Sequence, residues 1–352
     1  MSPQDWLYLN RAIDLALRSG GVQQPNPQVG AVVVHQGRIL GEGYHERYGQ
    51  GHAEVNALAA VAAEDRPLLS ASTLYVSLEP CFHYGKTPPC VDLVLRMGIP
   101  RVVIGAQDPF PAVAGQSIAK LRAAGVEVLL APAHPRLHLL HARFFTTVQA
   151  QRPYIVLKFA QSADGFLGYA GQRTSLSNAL VQRLVHRWRS EEAAILVGSE
   201  TVLVDDPALT NRLYLPQLRQ PTRLLLDRRG RIPSTAQALD DQAPSLWFSQ
   251  QDLGHAKHWP LGEEGFEDWL KSLYQKHRLQ SVLVEGGAQL LTTFLETGLW
   301  DELRLIQTPK RLGQGVAAPK LPPMSPAERF CLGQDEVLIY YREPLPIAPT
   351  LP

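Results

Sequence analysis

The sequence predicts an α/β protein of two domains. Three observations carry the prediction. A chain of 352 residues is about two domains long. Short apolar, strand-like runs alternate with helix-like segments in both halves, the pattern of layered α/β architecture. A content of 45% hydrophobic and 19% charged residues gives a globular chain ample material for its cores.

The first half reads element by element. Asp5–Ser19 repeats apolar residues near helical period and carries charges inside the run, so it is an amphipathic helix rather than a signal peptide. Pro25-Asn26-Pro27 is a rigid turn. Strands follow at Val29–His35 and Arg38–Tyr44, joined by the short Gln36-Gly37 connection. Ala53–Ala63 is rich in strong helix formers, and Ser72–Leu78 reads as a strand. Pro88-Pro89 opens a helix over Val91–Met97, because proline is tolerated at a helix start. A strand at Arg101–Ala106, a helix at Gln116–Ala124 and a strand at Val126–Leu130 continue the alternation. His134–Val148 is expected to be a helix that closes a first domain of residues 1–148. His134, His138 and His141 are expected on its solvated face, since no carboxylate or cysteine accompanies them as a metal set would require.

The second half, residues 149–352, starts with a strand at Tyr154–Ala160 and a turn at Ser162–Gly165. A helix at Ala179–Ser190 and strands at Ala194–Val197, Thr222–Leu226, Ser281–Val284 and Leu303–Thr308 follow. Pattern alone does not separate this from a doubly wound fold. Pro344–Pro352 is a proline-rich tail, expected to be loosely ordered.

Chemistry concentrates between His52 and Cys90. His52-Ala-Glu54 is followed by Glu79-Pro-Cys81 and, after a loop, Pro89-Cys90. Imidazole and thiolate are zinc ligands, and a catalytic site keeps its fourth position for water. His52, Cys81 and Cys90 offer three ligands, which leaves Glu54 to move protons. Hydrolytic zinc deaminases carry this set: His and two Cys on the metal and a non-ligating Glu as acid and base. Cys90 at a helix start gains the positive end of the dipole, which favours its thiolate. That signature spaces its cysteines as Cys-x-x-Cys, whereas here eight residues separate Cys81 from Cys90. The longer loop carries Gly85-Lys86-Thr87, which suggests a substrate phosphate or hydroxyl, since lysine binds phosphate as a point charge. It is not a P-loop, because the spaced upstream glycine is absent.

Charge and cysteine usage narrow the classes. With 34 basic and 33 acidic residues the net charge is +1, which argues against a broad nucleic-acid surface. Three cysteines, two of them in the zinc set, leave only Cys331. This fits a reducing, cytoplasmic compartment rather than a disulfide framework. No uninterrupted apolar run approaches the roughly 20 residues of a membrane span.

Pro25-Asn-Pro-Gln-Val-Gly-Ala31, His52-Ala-Glu-Val55 and Glu79–Cys90 resemble the bifunctional riboflavin-biosynthesis deaminase/reductase family. The long loop between the cysteines is specific to that group among zinc deaminases. The likeness continues through Ser162–Gly165, Thr201–Thr210 and Val284-Glu-Gly-Gly287, and so spans nearly the whole chain. It implies a cytidine-deaminase-like α/β/α layered domain followed by a dihydrofolate-reductase-like α/β domain. It also implies zinc and NADPH as cofactors, small phosphorylated pyrimidines as substrates and a homo-oligomeric enzyme. Carried over position by position, Asn26 and His45 line the deaminase pocket, although asparagine in an Asn-Pro turn also has a plain turn role. Ala160, Thr201, Asp205 and Gly287 contact NADPH. Arg189, Leu209, Arg212 and Glu285 face the reductase substrate, the arginines toward its phosphate. Arg228 stands where the family often has Ser, and is expected to meet the cofactor's 2′-phosphate.

Two departures stand out. Phe110 replaces the Asn that usually follows Asp108-Pro109. Ser175 replaces the usual Trp beside the nicotinamide, and a lost aromatic ring is lost stacking area. Ser175 keeps open a working deaminase whose second domain is only a binding module. A nucleoside or nucleic-acid deaminase with an unrelated appendage is the other alternative. The charge balance, the long loop and the likeness throughout the second half speak against it.

Overall fold

The computed structural model describes residues 1–82, 88–110, 113–217 and 219–346. The chain forms two compact units, Met1–Ala150 and Gln151–Pro344.

The first unit runs α1 (Pro3–Leu17), β1 (Gly30–His35), β2 (Arg38–Tyr44), α2 (Ala53–Ala59), β3 (Thr73–Val76), α3 (Cys90–Arg96), β4 (Arg101–Ile104), α4 (Gln116–Ala123), β5 (Glu127–Leu130) and α5 (Pro135–Ala150). Its five strands lie in the order β2-β1-β3-β4-β5. The pairs from β3 to β5 are parallel, and β1 is antiparallel to both its neighbours. Alternation along β1 sorts the core into two faces. Ala31 and Val33 pack with α2, α3 and α4, while Val32 and Val34 pack with α1. Leu137 and Leu140 of α5 join Leu9 and Ile13 of α1 in a third cluster. The result is the expected α/β/α layering. A Ser2–Asp5 capping box starts α1. Asp5 is itself buried and takes hydrogen bonds from Arg101 and Tyr75.

Glycines set the distance between α2 and the sheet. A Cβ at Gly41 or Gly43 would run into the backbone of Ala57. Only glycine lets the helix that carries Glu54 settle this close to β2. The same helix stops at Ala59 rather than at Ala63, and Ala63–Ala71 turns into a 3-10 helix with Pro67 inside it. Alanine propensity alone does not place that end.

Of the three histidines His134, His138 and His141, the last corrects an expectation, while His138 is exposed as expected. His141 is fully buried, not solvated. Its Nε2 donates to the Ser77 carbonyl, and its ring stacks on Phe145. His134 rests against Trp6.

The second unit runs β6 (Tyr154–Gln161), β7 (Phe166–Gly168), α6 (Ala179–Glu191), β8 (Ala194–Gly198), α7 (Ser199–Asp205), β9 (Thr222–Leu226), β10 (Ser245–Ser249), β11 (His258–Pro260), α8 (Phe266–His277), β12 (Ser281–Val284), α9 (Ala288–Thr297), β13 (Glu302–Gln307), β14 (Val316–Ala317), β15 (Glu328–Leu332) and β16 (Asp335–Tyr341). Nine strands form one sheet in the order β11-β10-β9-β8-β12-β6-β13-β16-β15, and β14 pairs with β7 separately. The sheet is parallel from β11 to β13 and antiparallel beyond. Its central strands are buried along their length, as a parallel sheet covered on both faces requires. β12, late in the chain, inserts between β6 and β8. Such a break in strand order leaves a crevice at the carboxyl ends of the strands, where ligands of α/β proteins bind.

Candidate active sites

In the first unit, three donor atoms converge. His52 precedes α2 as its N-cap, and Cys90 is the first residue of α3. Cys81 follows β3 on an extended segment. His52 Nδ1 lies 3.5 Å from Cys81 Sγ and 3.4 Å from Cys90 Sγ, and all three ligand atoms lie within 4.8 Å of one another. A tetrahedral zinc with a thiolate at about 2.3 Å and an imidazole at about 2.0 Å would separate S from N by about 3.6 Å. The residues therefore fit a zinc ion in both chemistry and spacing. The Cys90 backbone N–H, at the start of α3, donates to Cys81 Sγ at 3.2 Å. Two sulfurs this close resist carrying two thiolate charges together. Hydrogen bonding from Cys90 and His52 pulls the Cys81 thiol down to about 4, and the Cys90 thiol is pushed up by Cys81 and by burial. A divalent cation removes that conflict and makes both thiolates affordable.

Glu54 sits in the first turn of α2, 3% exposed. Burial, then the neighbouring Cys81, raises its carboxyl to about 7, where it can hold or release a proton near neutrality. Asn26 and His45 meet: Asn26 Nδ2 lies 3.0 Å from His45 Nε2. His45 Nδ1 lies 3.0 Å from the Gly51 carbonyl, which can only accept. The proton therefore sits on Nδ1, Nε2 accepts from the Asn26 amide, and Asn26 Oδ1 is left as an acceptor. His45 also contacts the His52 ring edge-on, at 5.3 Å between centroids. Lys86 lies outside the described residues.

Glu79 was not singled out from the sequence, although it belongs to the Glu-Pro-Cys motif. Its buried carboxylate accepts from the backbone N–H groups of Asp108, Gly115, Ser117 and Ile118. Ser117 Oγ adds a bond to the Pro80 carbonyl at 2.6 Å. The residues before Cys81 are thus tied to the start of α4. Phe110 is exposed on the intervening segment.

In the second unit, the candidate residues gather at the carboxyl ends of the parallel strands. Ala160 lies near the end of β6, Thr201 and Asp205 in α7 just beyond β8, Arg228 beyond β9, and Glu285 and Gly287 beyond β12. Gly287 has φ +72° and caps α9, whose free N–H groups suit a phosphate. Thr201 packs against this turn: a Cβ on Gly286 would come 2.7 Å from Thr201 Oγ1. Arg228 lines a small pocket of about 140 Å³ together with Gln250, Leu261, Phe266, Trp269 and the acidic Glu263 and Glu264.

Glu285 and Arg189 form a bidentate pair, both bonds 2.7 Å, with side chains 5% and 12% exposed. Lys158 Nζ adds a third charge, 3.6 Å from Glu285. Burial alone would raise the Glu285 carboxyl, but Arg189 and Lys158 prevail and hold it at about 2. Lys158 was missed in the sequence. The signal was available, as a single cation inside the apolar run of β6. Arg189 Nη1 also reaches the Thr210 carbonyl, and the Arg212 N–H donates to His186 Nδ1. Burial, together with Arg189 and Arg173, lowers the Arg212 pKa. Leu209 is buried and has φ +50°. Ser175 is exposed, and its carbonyl accepts from Lys310 Nζ at 2.8 Å.

Comparison with known proteins follows this division. Residues 2–106 match the family model described as the cytidine and deoxycytidylate deaminase zinc-binding region. Residues 153–329 match the RibD C-terminal domain. The chain is 38% identical over 321 residues to riboflavin biosynthesis protein RibD of Aquifex aeolicus, covering 88% of each chain. It is 37% identical over 334 residues to the RibD of Escherichia coli, covering 88% of this chain and 89% of that one. Among solved structures, a diaminohydroxyphosphoribosylaminopyrimidine deaminase/5-amino-6-(5-phosphoribosylamino)uracil reductase from Thermotoga maritima superposes with a TM-score of 0.88 at 33% identity. That match covers 96% of this chain and 98% of the other. Acinetobacter baumannii RibD superposes with a TM-score of 0.88 at 32% identity, with the same coverage.

Proposed function

The chain belongs to the RibD family of riboflavin-biosynthesis proteins, and we propose that residues 1–148 are its deaminase and residues 149–352 its reductase. It is a bifunctional enzyme of riboflavin biosynthesis with zinc and NADPH as cofactors. The substrates we assign are those in the name of the Thermotoga relative: first the diaminopyrimidine carrying a phosphoribosylamino group, then the corresponding uracil.

The observation that carries the deaminase assignment is the convergence of His52, Cys81 and Cys90 with Glu54 buried beside them. His52 Nδ1 and the two sulfurs would hold zinc, which when bound supplies a Lewis acid that lowers the pKa of water. Glu54 takes the proton of the attacking water and delivers it to the departing amine, so that ammonia leaves and a ring carbonyl remains. The Asn26 Oδ1 acceptor, oriented by His45, takes a ring N–H of the pyrimidine. Lys86 is assigned to the substrate phosphate. Measuring zinc content and ammonia release of the Glu54→Ala protein tests this: zinc stays bound and ammonia release stops. Loss of the zinc as well would make Glu54 a ligand and end the assignment.

In the reductase, NADPH when bound supplies the hydride that opens the ribose to a ribityl chain. Thr201, Asp205, Gly287 and the backbone at Ala160 would hold it, with Arg228 on its 2′-phosphate. Glu285, fixed by Arg189 and Lys158, faces the sugar, while Arg189, Arg212 and the Leu209 backbone hold the substrate phosphate. From the family resemblance we assign the enzyme to the cytoplasm and to a homo-oligomeric state. No helix among the described residues is long and apolar enough to cross a membrane.

A further inference from the structure

Arg223 is a fully buried arginine in β9. Its guanidinium serves six acceptors. Nε donates to Ser245 Oγ, Nη1 shares its two hydrogens among Asp240 Oδ1 at 2.7 Å and the carbonyls of Gln237 at 3.2 Å and Ala208 at 3.3 Å, and Nη2 donates to the carbonyls of Asp240 and Ala243. Five of these acceptors lie on residues 237–245. The sixth, the Ala208 carbonyl, belongs to the loop that follows α7, one residue before Leu209.

That loop has no regular secondary structure between Asp206 and Arg212, and side chains from elsewhere hold its polar backbone. Gln220 binds both the N–H and the carbonyl of Asn211. Arg189 binds the Thr210 carbonyl, and His186 takes the Arg212 N–H. Asp206 makes a second tie to the segment Arg223 holds, accepting from Gln237 N at 2.9 Å and Gln237 Nε2 at 3.2 Å. Two non-glycine residues of the loop, Asp206 at φ +38° and Leu209 at φ +50°, have left-handed backbones. Such conformations cost of order 1–3 kcal/mol each and persist only where the surroundings enforce them.

We propose that Arg223 is a positioning residue of the reductase: through the Ala208 carbonyl it locks the left-handed turn that presents Leu209 and Arg212 to the substrate phosphate. Asp206 is its partner from the outside. The proposal rests on the reading of Leu209–Arg212 as the substrate loop. A guanidinium fork is needed because Ala208 and Ala243 are held by different nitrogens, Nη1 and Nη2, and lysine has only one. Arg223 is fully buried and reaches the substrate loop through the Ala208 carbonyl. Its effect is transmitted by geometry, and misplacement by about 1 Å is costly to catalysis.

The test uses the full chain with two variants, Arg223→Lys and Asp206→Ala, the second removing a solvent-facing tie that the core does not need. KM for the uracil phosphate, KM for NADPH, reductase kcat, ammonia release and melting temperature are measured on each. The proposal expects the KM for the uracil phosphate to rise roughly tenfold or more in Arg223→Lys and by a smaller factor in Asp206→Ala, with KM for NADPH and ammonia release unchanged. A lower melting temperature with an unchanged KM for the uracil phosphate in both variants would overturn it, because Arg223 would then be structural only. So would parallel losses for uracil phosphate and NADPH. If Arg223→Lys does not fold, Asp240→Ala, which removes the carboxylate anchor of Arg223 Nη1, is measured in its place, with the same outcomes deciding. Arg212→Ala separates this proposal from the reading beneath it. A raised KM in Arg212→Ala alone leaves the substrate loop standing and removes Arg223. No change in Arg212→Ala removes the loop assignment, and Arg223 with it.

Discussion

Glu285 accepts from Arg189 through both carboxylate oxygens, and this pair sits at the end of β12 with almost no solvent contact. A buried pair of this kind is a weak source of net stability, but removing one partner strands the other charge. Glu285→Gln keeps the shape and leaves Arg189 and Lys158 facing each other. The reductase is expected to lose at least about a hundredfold in kcat/KM. The second unit is expected to lose about 3–5 kcal/mol of stability. Acid acts on the same group. Its folded value, about 2, lies below the ordinary 4.5, so its stabilisation is complete above about 4.5 and is lost as the pH falls toward 2. Chemical denaturation of wild type and Glu285→Gln between these pH values should show a steeper slope in the wild type, since Asp5 and Asp164, also held at about 2, titrate in both.

His141 sets a second acid response, in the first unit and at higher pH. Burial holds its imidazole at about 4, against 6.5 in a solvated chain. The folded form resists a proton that the unfolded form accepts. Stability is therefore full above about 6.5 and declines as the pH falls to 4. His141→Gln keeps a donor for the Ser77 carbonyl and cannot be charged. Its melting temperature should fall less steeply than that of the wild type across this window, and equal slopes would remove His141 from the acid response.

Metal removal should divide the two activities. A chelator strong enough to strip the zinc, or the Cys90→Ser substitution, is expected to stop ammonia release. NADPH oxidation on the deaminated substrate should continue, since no ligand atom of the set belongs to the second unit. Ammonia release by metal-free protein would contradict the zinc assignment.

The sequence was most legible where one residue type had one reason to be present. The strands Arg38–Tyr44, Thr222–Leu226 and Ser281–Val284 match the expected bounds, because buried parallel or hairpin strands are short apolar runs between turn residues. The His52, Cys81 and Cys90 cluster was legible because thiolate, imidazole and a spare carboxylate together suggest little else. The helix Ser199–Asp205 was not identified, since its Thr-Val-Leu-Val stretch has weak helix propensity and the sheet decides its conformation. The burial of His141 was hidden because helical period places it equally well on either face until the Ser77 carbonyl is known. Glu79, Lys158 and Arg223 act through partners 29 to 127 residues away in the sequence or through a fork of backbone carbonyls. No local pattern records such partners. Their lone charges within apolar surroundings were the only trace.

Ser175 bears on the whole account, since an aromatic ring is missing where the nicotinamide is expected. Its carbonyl still anchors Lys310, so the backbone of the segment is held even though the ring is gone. The most direct test is NADPH oxidation by the purified chain, supplied with the already deaminated ribosylamino-uracil phosphate. The account predicts turnover, with Ser175 a tolerated replacement. No oxidation, by protein that still releases ammonia from the upstream pyrimidine, would contradict it and leave a deaminase joined to an inactive second domain.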